Sequence, residues 1–166
     1  MLTKNFYSFI RGTLQKKTNI EFTHTDGAKV TDNFNYNAAV PPFYVMKTWT
    51  YTINSYGVAF GTSTTPATVS DYRLESILDN TKISVASPSE VSYSRLDAHE
   101  EYSVTFGITN ITSNAITIAE VGIVAKINDF YYALVDRTVL DTPVTIPAGQ
   151  SKQITYTIRF NYGDAV

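Results

Sequence analysis

The stretch EYSVTFGITNITSNAITIAEVGIVAKIN, residues 101–128, decides the fold. Its apolar and polar residues alternate on both sides of a short polar turn, Thr112-Ser113-Asn114. A two-residue period is the spacing of side chains on one face of a β-strand, and a polar cluster between two such runs indicates a turn. The stretch therefore predicts two strands joined by a turn.

The alternating pattern continues on both sides of this stretch. Toward the C-terminus, FYYALVDRTV (130–139) and ITYTIRF (154–160) alternate, and the turn Pro147-Ala148-Gly149-Gln150 precedes the second of them. Toward the N-terminus, FYVMKTWTYTIN (43–54) alternates, and Asp26-Gly27 is a strong hairpin signal. Strands at this spacing, about 8–12 residues, are typical of β-sandwiches. We predict an all-β protein whose fold is a two-sheet antiparallel sandwich, either immunoglobulin-like or a jelly roll.

The first residues differ from the rest, because their apolar side chains recur at three- and four-residue steps. That spacing predicts a short amphipathic helix over residues 3–16, with the apolar stripe Leu2, Phe6, Phe9, Ile10 and Leu14. Three interpretations of this segment stay open: a helix packed on its own sandwich, an arm that docks on a neighbouring subunit, or a helix on a membrane surface. We therefore divide the chain into a helix or arm, residues 1–19, and one sandwich domain, residues 20–166.

The composition limits the classes of function. The 166 residues include no cysteine, which excludes disulfides, thiolate metal sites and cysteine nucleophiles. Charged residues make up 17% of the chain, against about 25% in an average soluble domain, and the net charge of −2 argues against nucleic acid as a partner. The sequence shows neither a secretory signal pattern nor a run of about 18 apolar residues, so we expect a cytoplasmic origin and no membrane partner. The 12 tyrosines and the many threonines favour surfaces that contact other proteins.

No group of side chains has the sequence spacing of a catalytic or metal site. His24 and His99 are far apart, and neither has a second ligand at helix spacing. The charged stretch at residues 97–101 comes directly before a predicted strand, where solvated loop residues are expected. The chain also lacks the G-x-S-x-G pattern of a nucleophilic serine. We predict that the protein is not an enzyme and binds no metal or cofactor.

The stretch GVAFGTSTTPATVSDYRLES, residues 57–76, is a long connection of unusual composition. Gly57 and Gly61 are not followed by the lysine of a phosphate-binding loop, and the acids lack the spacing of a calcium loop. We expect the end of a strand, an extended threonine- and proline-rich connector, and then a short capped helix over residues 70–78. Long loops in compact domains are usually functional. The residues that we expect at an interface come from this loop and from the N-terminal helix: Phe6, Phe9, Ile10, Arg11, Thr62, Thr64, Thr65, Pro66, Asp71 and Tyr72.

Four stretches carry a family resemblance: MLTKNFYSFIRG (1–12), GVAFGTSTTPATVSDYRLES (57–76), ITSNAITIAEVGIVAK (111–126) and LVDRTVLDTPVTIPAGQSKQITYTIRF (134–160). The second contains Gly-Thr-Ser-Thr-Thr-Pro (61–66) followed by Asp-Tyr-Arg-Leu-Glu (71–75), the third a Glu-x-Gly, and the fourth an Arg-Thr followed by Pro-Ala-Gly. Together they cover 75 of the 166 residues. They resemble small virion structural proteins of tailed bacteriophages, particularly phages of gut bacteria.

The resemblance implies a non-enzymatic decoration or connector protein, present as a homo-oligomer or in many copies and located in the virion after assembly in the host cytoplasm. Its implied partners are other virion proteins of the capsid, of the portal or neck, or of the tail. We narrowly favour a capsid-associated role, in decoration or head-fibre attachment, over a collar or tail role. The alternative is a carbohydrate- or receptor-binding module of a tail or fibre. That module would use Trp49 and Tyr72 as stacking platforms, although Trp49 also fits the core side of its strand.

Overall fold

The computed structural model describes residues 1–15, 20–32, 55–88, 90–95, 99–127 and 130–161. Within these ranges the chain forms helix α1 (Lys4–Gln15) and nine strands: β1 (Ile20–Thr23), β2 (Lys29–Asp32), β3 (Gly57–Gly61), β4 (Ile83–Val85), β5 (Glu90–Arg95), β6 (His99–Asn110), β7 (Ile116–Lys126), β8 (Tyr132–Ile146) and β9 (Ser151–Asn161). The prediction of an all-β fold with a short N-terminal helix is confirmed. The strand predicted at residues 43–54, with Trp49, lies outside the described residues.

Two larger sheets contain most of these strands, and every pairing in them is antiparallel. In sheet A, β7 lies between β3 and β8. In sheet B, β6 is central: β9 pairs with one of its edges, and β4 and β5 pair with successive parts of the other edge. Strands β1 and β2 form a separate hairpin.

The two sheets pack face to face through one apolar core. Phe60 of sheet A and Phe106 of sheet B are fully buried, with ring centroids 5.6 Å apart in an edge-to-face arrangement. The buried residues around them come from both sheets: Val58, Ile118, Val121, Ile123, Val135, Ile146, Ile83, Val104, Ile108, Ile154, Tyr156 and Ile158. Along β6, every second residue from Val104 to Asn110 is buried, as its alternating sequence predicts. The sandwich-like architecture is therefore confirmed.

Strand β7 departs from simple alternation, since every residue from Ile118 to Ala125 is buried. Val121 and Ile123 face the core between the sheets. Val124 belongs instead to a second apolar cluster, on the outer face of sheet A, which includes Leu74 from the segment after β3. A strand covered on both faces is expected to read as a nearly continuous apolar run. The segment after β3 therefore forms a cover over sheet A.

Helix α1 packs on its own sandwich. Phe6 is buried in the core, and Ile10 packs against it. Asn5 binds β1 through both ends of its side-chain amide, because Nδ2 donates to Thr23 O and Oδ1 accepts from the Thr23 N–H, each at 2.8 Å. The buried Thr3 hydroxyl donates to a main-chain oxygen of β8. Among the described residues, no helix has the length and apolar character that a membrane crossing requires.

The short capped helix predicted at residues 70–78 is wrong. The chain there runs beside β3, because the Thr62 N–H donates to Ser76 O at 2.9 Å and the Leu78 N–H donates to Phe60 O at 2.8 Å. Main-chain groups that would bond within a helix bond instead to the edge of sheet A. Burial of Leu78 in the core favours this extended path over a local helix.

Candidate functional site

Residues 62–78, called the 62–78 loop below, cross the outer face of sheet A. Leu74 of the loop is buried against Leu134 of β8. Gly122 of β7 leaves the space for this contact, because a Cβ on residue 122 would lie 2.7 Å from Leu74 Cδ1 and 2.8 Å from Asp136 O. Apolar packing therefore fits the loop closely to the sheet.

A buried arginine on β8 holds the loop from beneath. Arg137 is fully buried; its Nε donates to Glu120 Oε2 and its Nη1 to Asp71 Oδ2, each at 2.8 Å. Its Nη2 donates to Thr65 O at 3.0 Å, and Nη1 also donates to Pro66 O at 3.5 Å. We name Arg137, Glu120 and Asp71 the Arg137 network. The network ties the first half of the loop to sheet A.

Glu120 of β7 is also fully buried and binds the second half of the loop. Its Oε1 accepts the Ser76 N–H at 2.8 Å, and its Oε2 accepts the Glu75 N–H at 3.3 Å. Gly61 is needed here, because a Cβ on residue 61 would lie 2.6 Å from Ser76 O and closer still to the Glu120 carboxylate. The carboxylate therefore fits between β3 and the loop only when residue 61 lacks a side chain.

The charged groups of the Arg137 network have hydrogen-bond partners in their buried positions. Arg137 donates to four oxygens, and Glu120 accepts from three N–H groups. Burial by itself lowers the pKa of Arg137, but the hydrogen bonds that it donates to Asp71 and Glu120 outweigh this effect and raise the pKa. Burial by itself raises the pKa of Asp71, but hydrogen bonds from the Thr68 N–H, Arg137 and the Thr68 hydroxyl hold that pKa below its ordinary value. Arg137 and Asp71 are therefore charged near neutral pH, as a buried ion pair requires.

A groove of about 660 Å³ lies beside the loop, between α1 and the β1–β2 hairpin. Its lining includes side chains of α1 and of the loop: Lys4, Ser8, Arg11, Asp71 and Tyr72. The Tyr72 ring packs on the hairpin turn, since a Cβ on Gly27 would lie 3.3 Å from the ring. The groove thus brings together three residues that the sequence places at an interface and that come from two distant segments, Arg11, Asp71 and Tyr72.

The other residues expected at an interface divide between the surface and the core. Four are exposed at the start of the loop, in what we name the 62–66 segment: Thr62, Thr64, Thr65 and Pro66. Phe6 is buried in the core and Ile10 is half-buried against it, so both side chains pack within the domain. The side chain of Phe9 lies outside the described residues.

Glu120 and Arg137 are site residues to which the sequence pattern assigns no role. Glu120 interrupts a run of apolar residues in β7, and Arg137, next to Asp136, interrupts one in β8; the two side chains have opposite charges. A charge inside a strand that is covered on both faces needs a partner, which is the signal that could find the pair. Both residues also lie in stretches of the family resemblance, Glu120 in the Glu-x-Gly motif and Arg137 in the Arg-Thr motif.

The histidines take part in local pairs. His24 is buried, with Nδ1 2.9 Å from Asp26 Oδ1, and His99 Nε2 lies 3.1 Å from Glu101 Oε1. Across the part of the chain that the structure describes, no group of three or more His, Cys, Asp or Glu side chains is placed to hold a metal ion.

Comparisons of the chain with protein-family models, with curated proteins and with solved structures found no match. The site is interpreted from its own geometry: a loop fixed by buried charges, the exposed 62–66 segment and a polar groove next to both. Such an arrangement offers a shaped, preformed surface, which suits non-covalent recognition.

Proposed function

We propose that the protein is a non-enzymatic structural component of a bacteriophage virion that mediates protein–protein contacts, with a capsid-associated role preferred to a collar or tail role. The observation that carries the proposal is the Arg137 network, which uses fully buried charges to fix an exposed loop. Three of the four stretches that resemble small virion proteins supply its members: Asp71 comes from 57–76, Glu120 from 111–126 and Arg137 from 134–160.

A preformed contact loop loses less conformational entropy on binding than a mobile one. Ordering one rotamer-rich side chain at an interface costs about 0.5–1.5 kcal/mol, so a loop that is fixed before binding retains more of its contact energy. In the 62–66 segment, the oxygens of Thr65 and Pro66 accept hydrogen bonds from Arg137, and the Thr65 N–H donates to Ser63 Oγ at 3.1 Å. The threonine methyl groups and the proline ring are thereby presented in a fixed arrangement.

The remaining surface supports the same proposal. Large aromatic side chains are exposed at three separate places, on α1, on β5 and before β8: Tyr7, Tyr93 and Phe130 are 60%, 53% and 80% exposed. Aromatic residues are enriched in protein interfaces, whereas charged residues are depleted from interface cores. A chain with 17% charged residues therefore has a surface suited to repeated contacts in a particle.

One observation favours the alternative function, a carbohydrate- or receptor-binding module of a tail or fibre. Tyr72 lines the groove together with the polar side chains of Asn5, Ser8 and Ser70. Rings next to hydroxyl and amide groups are a common composition of ligand sites. Binding of the isolated protein to a glycan array, abolished by Tyr72→Ala, would support this alternative over the structural role.

The proposed function is tested by quantitative mass spectrometry of gradient-purified virions of the phage that encodes the chain. We expect the protein in the purified particles at many copies per particle, in a constant ratio to the major capsid protein. Its presence in the lysate and absence from purified virions would overturn the proposal.

A variant pair tests whether the 62–66 segment makes the contact. Thr64→Arg places a large cation on the exposed segment, and Ser113→Arg makes a matched change in the exposed turn between β6 and β7. Both variants should keep the wild-type melting temperature, because neither side chain is buried. We expect incorporation into particles to fall at least tenfold for Thr64→Arg and to stay unchanged for Ser113→Arg.

A further inference from the structure

The groove beside the 62–78 loop, between α1 and the β1–β2 hairpin, has an uneven charge distribution. Its lining contains two acids, and both are neutralised: Glu21 Oε1 lies 3.4 Å from Lys29 Nζ, and Asp71 Oδ2 lies 2.8 Å from Arg137 Nη1. Two further cations line the groove from α1, and neither has an ion-pair partner among the described residues. These are Lys4 and Arg11, which are both exposed. The groove therefore presents two uncompensated positive charges.

The two cations form a row on one face of α1. Lys4, Ser8 and Arg11 follow each other at helical spacing, so they lie on the same side of the helix. Seven residues of helix rise about 10.5 Å from the first cation to the second. An extended peptide rises about 3.3 Å per residue, so about three residues span the same distance. Two acids in an extended segment can therefore meet both cations at once.

The wall of the groove that the 62–78 loop forms is fixed and partly apolar. Val69 is 48% exposed and lines the groove, and its main-chain oxygen accepts the Lys4 N–H at 2.8 Å. Tyr72 stands next to it in the lining, with its ring held on the hairpin turn at Gly27. Because the Arg137 network holds Asp71, this wall keeps its place when the groove is occupied. The volume of about 660 Å³ lies within the usual range of ligand sites, about 300–1,000 Å³.

We infer that this groove binds an acidic, extended segment of a partner protein, with carboxylates on Lys4 and Arg11 and apolar side chains on Val69 and Tyr72. The inference rests on the proposed contact function and specifies the chemistry of the partner. Charge complementarity of this kind accelerates association and selects among partners more than it adds affinity. The partner segment is therefore expected to bind weakly as an isolated peptide. In the whole partner, its affinity is expected to be higher, because the neighbouring 62–66 segment makes a second contact.

The inference is tested by fluorescence anisotropy with a fluorescein-labelled deca-glutamate peptide at low salt. Decamers of lysine and of alternating glycine and serine serve as controls, and inorganic phosphate is added as a competitor. We expect saturable binding of the glutamate peptide only, weakened at 0.5 M salt because screening shortens the range of the attraction. Absence of glutamate-peptide binding overturns the inference. Displacement by millimolar phosphate also overturns it, because the site would then be one for small anions.

A matched pair of double variants locates the binding. Lys4→Gln/Arg11→Gln and Lys82→Gln/Lys152→Gln remove the same charge, and the second pair lies outside the groove on exposed residues. Both variants should melt at the wild-type temperature, because all four side chains are exposed. We expect affinity for the glutamate peptide to fall at least tenfold in the first variant and less than twofold in the second. Equal losses in both would overturn the inference, since binding would then follow net charge alone.

The peptide-binding experiment and the virion experiment test the two proposals independently. If the chain is absent from virions while Lys4→Gln/Arg11→Gln abolishes peptide binding, the groove assignment stands and the virion function falls. If the peptide does not bind while Thr64→Arg still prevents incorporation, the virion function stands and the groove assignment falls.

Discussion

The outer face of one sheet is covered by a loop, whereas the outer face of the other sheet is exposed to solvent. The outer face of sheet A is covered by the 62–78 loop and contains the buried Arg137 network. The outer face of sheet B, named the hydroxyl face here, carries exposed serine and threonine pairs that hydrogen-bond across β6 and β9 at 2.7–2.8 Å: Ser103 with Thr157, Thr105 with Thr155 and Thr109 with Ser151. Polar groups on sheet A hold a distant segment in place, whereas those on sheet B mostly bind each other. Buried polar side chains thus fix the position of a distant segment, whereas exposed ones are expected to contribute little to stability.

The largest expected effect separates two arginines on these two faces. Arg137→Leu leaves Glu120 buried without its cation, and breaking a buried pair in this way costs about 3–5 kcal/mol of unfolding free energy. Arg159→Leu removes an arginine of the hydroxyl face that is 57% exposed and pairs with Glu101, so its effect should be far smaller. Urea denaturation of both variants measures the difference. Equal losses would show that burial of the network has no special weight.

Two glycines provide the next comparison. Gly61→Ala would place its Cβ 2.6 Å from Ser76 O, and Gly107→Ala, on β6, would place its Cβ 3.7 Å from Ala86 Cβ, an ordinary contact. We expect Gly61→Ala to lose about 1–3 kcal/mol through overpacking and Gly107→Ala to lose much less. Thermal unfolding checks both. A neutral Gly61→Ala would mean that the loop can move away from β3 without loss.

Acid should weaken the loop attachment specifically. The folded state holds the pKa of Asp71 below its ordinary value of 3.8, so the stabilisation from its ionised form is complete above that pH. It is lost as the pH falls below 3.8 and through the folded-state pKa. The difference in unfolding free energy between wild type and Asp71→Asn should therefore shrink over this acidic range. A difference that stays constant from neutral pH to pH 3 would contradict the role of Asp71.

The smallest expected effect concerns single hydroxyl groups. Thr157→Val on the hydroxyl face should change the unfolding free energy by about 0.5 kcal/mol or less, because valine is a good strand former and the partner Ser103 can bond water. Thr3→Val removes a buried hydroxyl that donates to Leu134 O and should cost about 1–2 kcal/mol. Chemical denaturation measures the unfolding free energy of both variants. A larger loss of unfolding free energy for Thr157→Val than for Thr3→Val would contradict the prediction.

Strands were predictable where a local pattern determines them. The alternation in 101–110 follows from one buried and one exposed face, and β6 has this arrangement. The covered outer face of β7 was not predictable in the same way, because the cover comes from a segment more than 40 residues earlier, as the bond from the Ser76 N–H to Glu120 shows.

The helix expected at residues 70–78 shows the limit of local reasoning at the site. Ser70 and the following acids have the local chemistry of a helix start, but Glu120 accepts the N–H groups of Glu75 and Ser76. That competing acceptor lies on another strand, so no local pattern reports it. The association of Arg11 with Tyr72 in one groove likewise depends on the packing of α1 beside the loop.

The central claim is that the Arg137 network, and not the sandwich core alone, holds the 62–78 loop in a fixed position. Native-state hydrogen exchange measures this directly at the amides of Thr62, Ser76 and Leu78, which donate to Ser76 O, Glu120 and Phe60 O. We predict strong protection of all three in the wild type. In Arg137→Leu, protection should fall by at least tenfold more than at the core amides of Val104 and Phe106. Unprotected loop amides in the wild type, or a proportional loss at loop and core in the variant, would contradict the claim.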